Sequence, residues 1–135
     1  MDKTFVILSP DMDVYQAIDT FLKEGVTSAV VADENKKCVG ILSEKDCLKL
    51  LAGGSYHQLP GGKVKDFMTT EVYCIPPYTD IFKVADIFLH NYFRRLVITN
   101  EDNMVLGQIT RRDMLRIIKK LHKGDGKEKK IAPIM

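Results

Sequence analysis

The hydrophobic and polar positions of the chain form the same pattern twice. Each copy starts with a short apolar stretch, at 5–8 or 72–75, that ends near a proline, which has no N–H to donate to a sheet. Apolar residues then recur every three to four positions, as on one face of a helix. These residues are Val14, Ala17, Ile18, Phe21 and Leu22 in the first copy and Ile81, Val84, Ala85, Phe88 and Leu89 in the second.

Two further apolar stretches and a second helix complete each copy. The stretches are separated by a polar turn, and they span 29–32 and 38–42 in the first copy and 96–99 and 105–109 in the second. The second helix is predicted to begin near Ser43 in the first copy and near Thr110 in the second. Each copy therefore reads as a β-α-β-β-α unit.

The two copies align without a gap. Residues 5–51 lie over residues 72–118 at an offset of 67 positions, and identities recur along the whole alignment. They include Pro10 and Pro77, Asp13 and Asp80, Gly40 and Gly107, and Asp46 and Asp113. One unit of this size buries too little surface to be stable alone. We therefore predict an α/β (α+β) fold in which the two repeats pack about a pseudo-twofold axis.

The repeat also predicts the domain boundaries. Residues 1–52 form the first repeat, and the glycine- and proline-containing stretch 53–62 is the linker. Residues 63–123 form the second repeat with a lead-in segment, in which 63–68 is predicted to be a short helix. Residues 124–135 are a basic tail that we expect to be flexible.

Composition narrows the function classes. The net charge is +2, which provides no electrostatic case for nucleic acid binding. No apolar run approaches the ~20 residues that a membrane helix requires, and we expect a cytoplasmic protein. The odd number of cysteines, and the apolar partner of each in the other copy, favour core thiols. The three histidines are too far apart in sequence to suggest a metal site.

One motif occurs in both copies where the third strand meets the second helix. It reads Gly40-Ile41-Leu42-Ser43-Glu44-Lys45-Asp46 in the first copy and Gly107-Gln108-Ile109-Thr110-Arg111-Arg112-Asp113 in the second. A structural explanation suffices for part of it, because Ser or Thr at a helix N-cap with Asp three residues later is typical of a capping box. A ligand-binding role for the same residues is the alternative.

The motif, its duplication and the turn between the strands together resemble a tandem cystathionine-β-synthase-type (CBS) domain pair. The resemblance covers about residues 3–121. It implies that adenosine-containing ligands, of the AMP, ADP or ATP class, bind in clefts between the repeats, with no other cofactor required. Asp46 and Asp113 would then bind ribose hydroxyls, and Ser43, Thr110 and nearby basic residues would contact phosphate.

The resemblance also implies that each cleft combines residues of both copies. The Asp46 cleft would be faced by Thr70, Val72, Arg94 and Arg95. The Asp113 cleft would be faced by Thr4, Phe5, Thr27 and Ser28, with Arg111 and Arg112 on its own helix. Arg95 and Arg112 are the strongest phosphate candidates, because a guanidinium suits bidentate phosphate contact. Gln108 departs from the family pattern, which has an apolar residue after the motif glycine.

The function expected from these features is regulatory and not enzymatic, since no catalytic constellation is evident in the sequence. We expect a homodimer that senses an adenine nucleotide and signals to a separate effector protein, without membrane or nucleic acid contact. The alternative is a structural or interaction module whose clefts are empty or take another ligand, such as S-adenosylmethionine.

Overall fold

The computed structural model describes residues 5–52 and 60–124, which divide into two compact units. The first unit comprises the described residues up to Val72, and the second comprises the described residues from Tyr73 onward. The lead-in segment 63–72 thus groups with the first copy. Most of the predicted linker, the predicted basic tail from residue 125 and the candidate Thr4 lie outside the described residues.

The first unit has one three-stranded sheet with helices. Its elements are β1 (Ile7–Leu8), α1 (Val14–Glu24), β2 (Ser28–Ala32), β3 (Cys38–Ser43), α2 (Glu44–Cys47), α3 (Lys49–Ala52) and α4 (Val64–Phe67). The strand order is β1-β2-β3, with β1 parallel and β3 antiparallel to the central β2. The short helix predicted at 63–68 is present as α4.

The second unit repeats this topology. Its elements are β4 (Cys74–Ile75), α5 (Ile81–His90), β5 (Arg95–Thr99), β6 (Val105–Thr110) and α6 (Arg111–His122). The strand order is β4-β5-β6, again parallel and then antiparallel. The mixed α/β class and the two β-α-β-β-α repeats are confirmed.

The same local signals position the elements in both units. Asp13 and Asp80 cap their helices by accepting the backbone N–H groups of Tyr15 and Phe82. In the turns between the second and third strands, Lys36 and Asn103 both adopt the left-handed conformation, with φ of 64° and 63°. Because the two turns have the same conformation, the strand pairs that they join are alike. The third strand of each unit therefore places its motif at the same position within the unit.

The second helix differs between the units. In the second unit α6 is continuous, as predicted, but in the first unit the predicted helix is divided at Leu48 into α2 and α3. The N–H of Leu48 contacts the carbonyls of both Glu44 and Lys45, and Leu51 N–H bonds to Leu48 O. The helix tightens there to i→i+3 bonding, which interrupts the regular α-helix.

Each unit has its own apolar core beneath its central strand. The first core comprises Leu8, Ala17, Phe21, Ala29, Val31, Leu42 and Val64. The second comprises Ile75, Ile81, Val84, Ile87, Phe88, Leu96, Ile98, Ile109 and Met114. Most of these residues belong to the apolar pattern of the repeat, although Val64 comes from the lead-in helix α4. That helix therefore completes the first core.

The cysteines are thiols in half-buried positions. Cys38, Cys47 and Cys74 are all intermediate in exposure, and Cys47 packs against the first core. Burial raises the pKa of the Cys47 thiol, and the neighbouring Asp46 and Glu44 carboxylates raise it further. A raised pKa disfavours the thiolate, which is the reactive form. Within 5–52 and 60–124, no helix has the length and apolar character that a membrane crossing requires.

Candidate functional site

Both motifs form complete capping boxes at the junction of a strand and a helix. The Oγ of Ser43 accepts the backbone N–H of Asp46 at 3.2 Å, and Oδ2 of Asp46 accepts both the N–H and the hydroxyl of Ser43 at 3.0 Å. Thr110 and Asp113 repeat these bonds at 3.2, 2.9 and 3.0 Å. The structural explanation of the motif is therefore confirmed, and it uses one oxygen of each carboxylate.

The second oxygen of each carboxylate contacts a cation. Lys49 Nζ lies 3.2 Å from Asp46 Oδ1, and Arg116 donates to Asp113 Oδ1 at 2.9 Å. Because Asp46 and Asp113 are only 6% and 4% exposed, an unpaired charge there would be costly. Lys49 and Arg116 were not among the site residues predicted from the sequence. Their i+3 spacing from the motif aspartate, repeated at the 67-residue offset, is the signal that identifies them.

In the first unit a segment distant in sequence also reaches the motif. Thr69 forms a two-way backbone bridge with Ile41, at 2.8 and 2.9 Å, and its hydroxyl lies 3.2 Å from Asp46 Oδ1. Lys49 Nζ donates to the carbonyl of Phe67 at 3.0 Å. The end of the lead-in segment is thus tied to the Asp46 carboxylate by side chains and backbone together. Thr69 was not among the site residues predicted from the sequence.

In the second unit a guanidinium lies on the strand next to the motif. Arg95 pairs with Thr110 in the β5–β6 ladder, and its Nη1 donates to Oε1 of Gln108 across the strands. Burial lowers the pKa of Arg95, the charge of Arg94 lowers it further, and the attraction of Asp113 opposes both. Gln108, the residue that departs from the family pattern, therefore holds the Arg95 side chain.

The other candidates differ in exposure. Arg94, Arg112, Thr27 and Thr70 are exposed, Val72 is half-buried and Ser28 is buried. Ser28 occupies the register position opposite Ser43 that Arg95 occupies opposite Thr110. Arg95 lies beside the motif of its own copy, opposite Thr110. The expectation that residues of one copy face the motif of the other stays a prediction.

A cavity of about 650 Å³ lies at the other end of the second sheet. Its walls come from the loop after β4 and the turn after β5. The described residues that line it include Glu101 and Asp102 but no lysine or arginine. An acidic lining disfavours phosphate, so this cavity does not suit a nucleotide despite its size. Among the described residues, no cluster of three His, Cys, Asp or Glu could hold a metal ion.

A comparison with models of protein families matches both copies of the repeat. A family model described as the CBS domain matches residues 1–53 and 64–120. An uncharacterised 17.7 kDa protein from Acidianus ambivalens is 26% identical over 86% of this chain and 68% of its own length. The inosine-5′-monophosphate dehydrogenase of Methanocaldococcus jannaschii is 30% identical over 84% of this chain. The chain spans only 22% of that dehydrogenase, and 37% of a 29% identical protein from Thermofilum pendens.

Solved structures share the fold. The crystal structure of CBSX2 in complex with AMP has a TM-score of 0.76 and 25% identity, and the match covers 89% of this chain and 91% of that one. A second structure of CBSX2, from Arabidopsis thaliana, has a TM-score of 0.74 at 24% identity and covers 90% of each chain. The cytosolic domain of the Mg²⁺ channel MgtE in complex with ATP has a TM-score of 0.70 at 21% identity, covering 87% of this chain and 46% of that one.

Proposed function

The chain belongs to the CBS domain family, and from that premise we propose that it is a regulatory module that binds an adenine nucleotide and signals to a partner protein. The observation that carries the proposal is the pair of buried motif carboxylates. Asp46 and Asp113 each lie at a strand–helix junction with a cation, Lys49 or Arg116, three residues further on. The AMP complex of the structurally similar CBSX2 protein supports this ligand class.

The chemistry of the two carboxylates suits a ribose. An ionised carboxylate accepts hydrogen bonds from both hydroxyls of a vicinal diol, and such charge-assisted bonds are strong. In each motif Oδ2 is committed to the helix cap, so a ribose hydroxyl would approach Oδ1, beside Lys49 or Arg116. The cap holds the carboxylate in place before a ligand arrives, which lowers the entropy lost on binding.

A thermal-shift panel tests the proposed function. AMP, ADP, ATP and S-adenosylmethionine are each added to the purified chain, because a ligand that binds the folded state alone raises the melting temperature with its concentration. We expect a concentration-dependent rise with at least one of the three adenine nucleotides. A rise with S-adenosylmethionine alone would favour the alternative ligand. No rise with any of the four would contradict nucleotide sensing and favour a structural or interaction module.

The arginines are expected to recognise phosphate and not the nucleoside. Arg95→Ala and Arg112→Ala should each lower the affinity for AMP about 2- to 5-fold, the range of a partly exposed ion pair, and leave the affinity for adenosine unchanged. Added salt should reduce the preference for AMP because part of it is Coulombic. Calorimetry with AMP and with adenosine measures the two affinities and hence the preference for AMP. Equal losses for AMP and adenosine would indicate packing damage and contradict the phosphate role.

A second copy of the chain is the partner we propose first. Each unit leaves matching apolar side chains exposed, with Leu22 and Leu89 at 78% and 80% and Leu48 and Leu115 also largely exposed. Exposed apolar side chains on helical segments favour association. We expect a homodimer by light scattering at micromolar concentration, and a monomer would contradict it. An effector protein would then receive the signal.

A further inference from the structure

We propose that the two motifs are unequal ligand sites, with Asp113 the primary ribose acceptor and Asp46 partly blocked by the hydroxyl of Thr69. This inference rests on the proposed function and names which motif carries most of the binding. Its basis is the number of donors that the chain itself directs at each carboxylate.

The Asp46 carboxylate is saturated by the protein. It receives the N–H and the hydroxyl of Ser43, the ammonium of Lys49 at 3.2 Å and the hydroxyl of Thr69, which lies 3.2 Å from Oδ1 and 3.5 Å from Oδ2. A carboxylate offers about four lone-pair directions, so four donors fill it. A ribose hydroxyl must therefore displace one of them.

The Asp113 carboxylate retains capacity. From the described residues it receives three donors, namely the N–H and hydroxyl of Thr110 and the guanidinium of Arg116. The residue at the repeat position of Thr69 is Asp2, which has no hydroxyl and, when ionised, no donor in its side chain. Among the described residues, Oδ1 of Asp113 receives only the guanidinium of Arg116, and it can accept a ligand hydroxyl.

The backbone of Thr69 is fixed so that its hydroxyl competes with a ligand hydroxyl for the Asp46 carboxylate. Its two backbone bonds to Ile41 fix the segment against β3, and Gly40 permits this close approach because a Cβ there would lie 2.8 Å from the Thr69 carbonyl oxygen. Lys49 bridges the carbonyl of Phe67 and the Asp46 carboxylate. The Thr69 hydroxyl is therefore placed at Oδ1 by the backbone and not by a flexible side chain alone.

The charge near the second motif adds to the difference. Arg95 lies opposite Thr110 with its guanidinium bonded to Gln108, whereas Ser28 and Ile41 occupy the corresponding positions of the first unit. The second unit thus carries a cation on the strand beside its own motif. That cation favours an anionic ligand at the Asp113 carboxylate.

Calorimetric titration with AMP tests the inference. We compare the wild type with Asp113→Asn, Asp46→Asn and the double variant Asp113→Asn/Thr69→Val. Asp113→Asn should lose more affinity than Asp46→Asn. Adding Thr69→Val to Asp113→Asn should restore affinity about 2- to 10-fold, because the ligand no longer displaces a neutral hydrogen bond at Asp46.

Two controls separate the hydroxyl from general damage. Thr69→Ser in the Asp113→Asn background keeps the hydroxyl and should restore nothing. Thr20→Val removes a hydroxyl that bonds to the helical carbonyl of Gln16, far along the sequence from either motif, and should also restore nothing. Circular dichroism checks that each variant is folded.

The outcomes distinguish this inference from the proposed function. Equal AMP affinity with and without Thr69→Val, or a larger loss from Asp46→Asn than from Asp113→Asn, would overturn the inference while nucleotide binding stands. No binding of AMP, ADP or ATP by the wild type would overturn the proposed function, and the inference with it.

Discussion

Replacing Asp113 with asparagine is expected to weaken AMP binding about 10- to 100-fold, since a hydrogen bond to a charged group contributes about 1.5–3 kcal/mol. Asparagine keeps one side-chain oxygen that can accept the N–H of Thr110, so the helix cap is retained. What is lost is the negative charge that would accept a ribose hydroxyl at Oδ1. Adenosine should lose as much affinity as AMP, because the ribose is common to the two ligands.

Calorimetry with AMP and adenosine measures this effect, and urea unfolding checks the fold. Asp86→Asn is the matched control, because it removes the same charge from an exposed carboxylate on α5. We expect the control to bind AMP as the wild type does. Wild-type affinity in Asp113→Asn would contradict the ribose role and leave helix capping as the function of the motif aspartate.

Replacing Gly40 with alanine is expected to destabilise the protein by about 1–3 kcal/mol, the usual range for overpacking. A Cβ at this position would lie 2.8 Å from Met68 Sδ and 2.8 Å from the carbonyl oxygen of Thr69. The thioether can move, but the carbonyl belongs to the backbone bridge with Ile41. Relief of the clash therefore requires the lead-in segment to move away from β3.

The urea midpoint of Gly40→Ala measures this cost. Gly61→Ala is the control, because a Cβ there meets no atom within 4 Å, and we expect a change within about 0.5 kcal/mol. A midpoint for Gly40→Ala equal to that of the control would show that the segment accommodates a methyl group. The close approach would then not be the reason for the motif glycine.

Most of the fold follows from patterns that act within a few residues. The helical spacing that starts at Val14 and Ile81 and the polar turns predict the elements of both units, and the structure adds the caps at Asp13 and Asp80. Each of these signals works through neighbours one to four positions away, so the sequence displays it directly. Element ends were predicted less well. The first strands are two residues long, because pairing is confined to Ile7–Leu8 and Cys74–Ile75.

The candidate site divides in the same way. The capping-box half of the motif is local and was recognised from Ser43, Asp46, Thr110 and Asp113 alone. The cation that contacts each carboxylate is also close in sequence, three residues after the aspartate. Comparing Lys49 with Arg116 at the repeat offset could have identified both. Among the remaining candidates, the pairing of residues across the two copies stays a prediction.

The sequence by itself determined the repeat, the α/β class and the two capping boxes with their aspartates, because each depends on side chains close together along the chain. Tertiary structure alone decided that the hydroxyl of Thr69 reaches Asp46 across 23 positions, and that Arg95 bonds to Gln108 across 13. Such contacts require the chain to close a loop and set a strand register, and no periodicity in the sequence encodes which side chains then meet. The difference between two motifs that look equivalent in sequence therefore appears only in the folded chain.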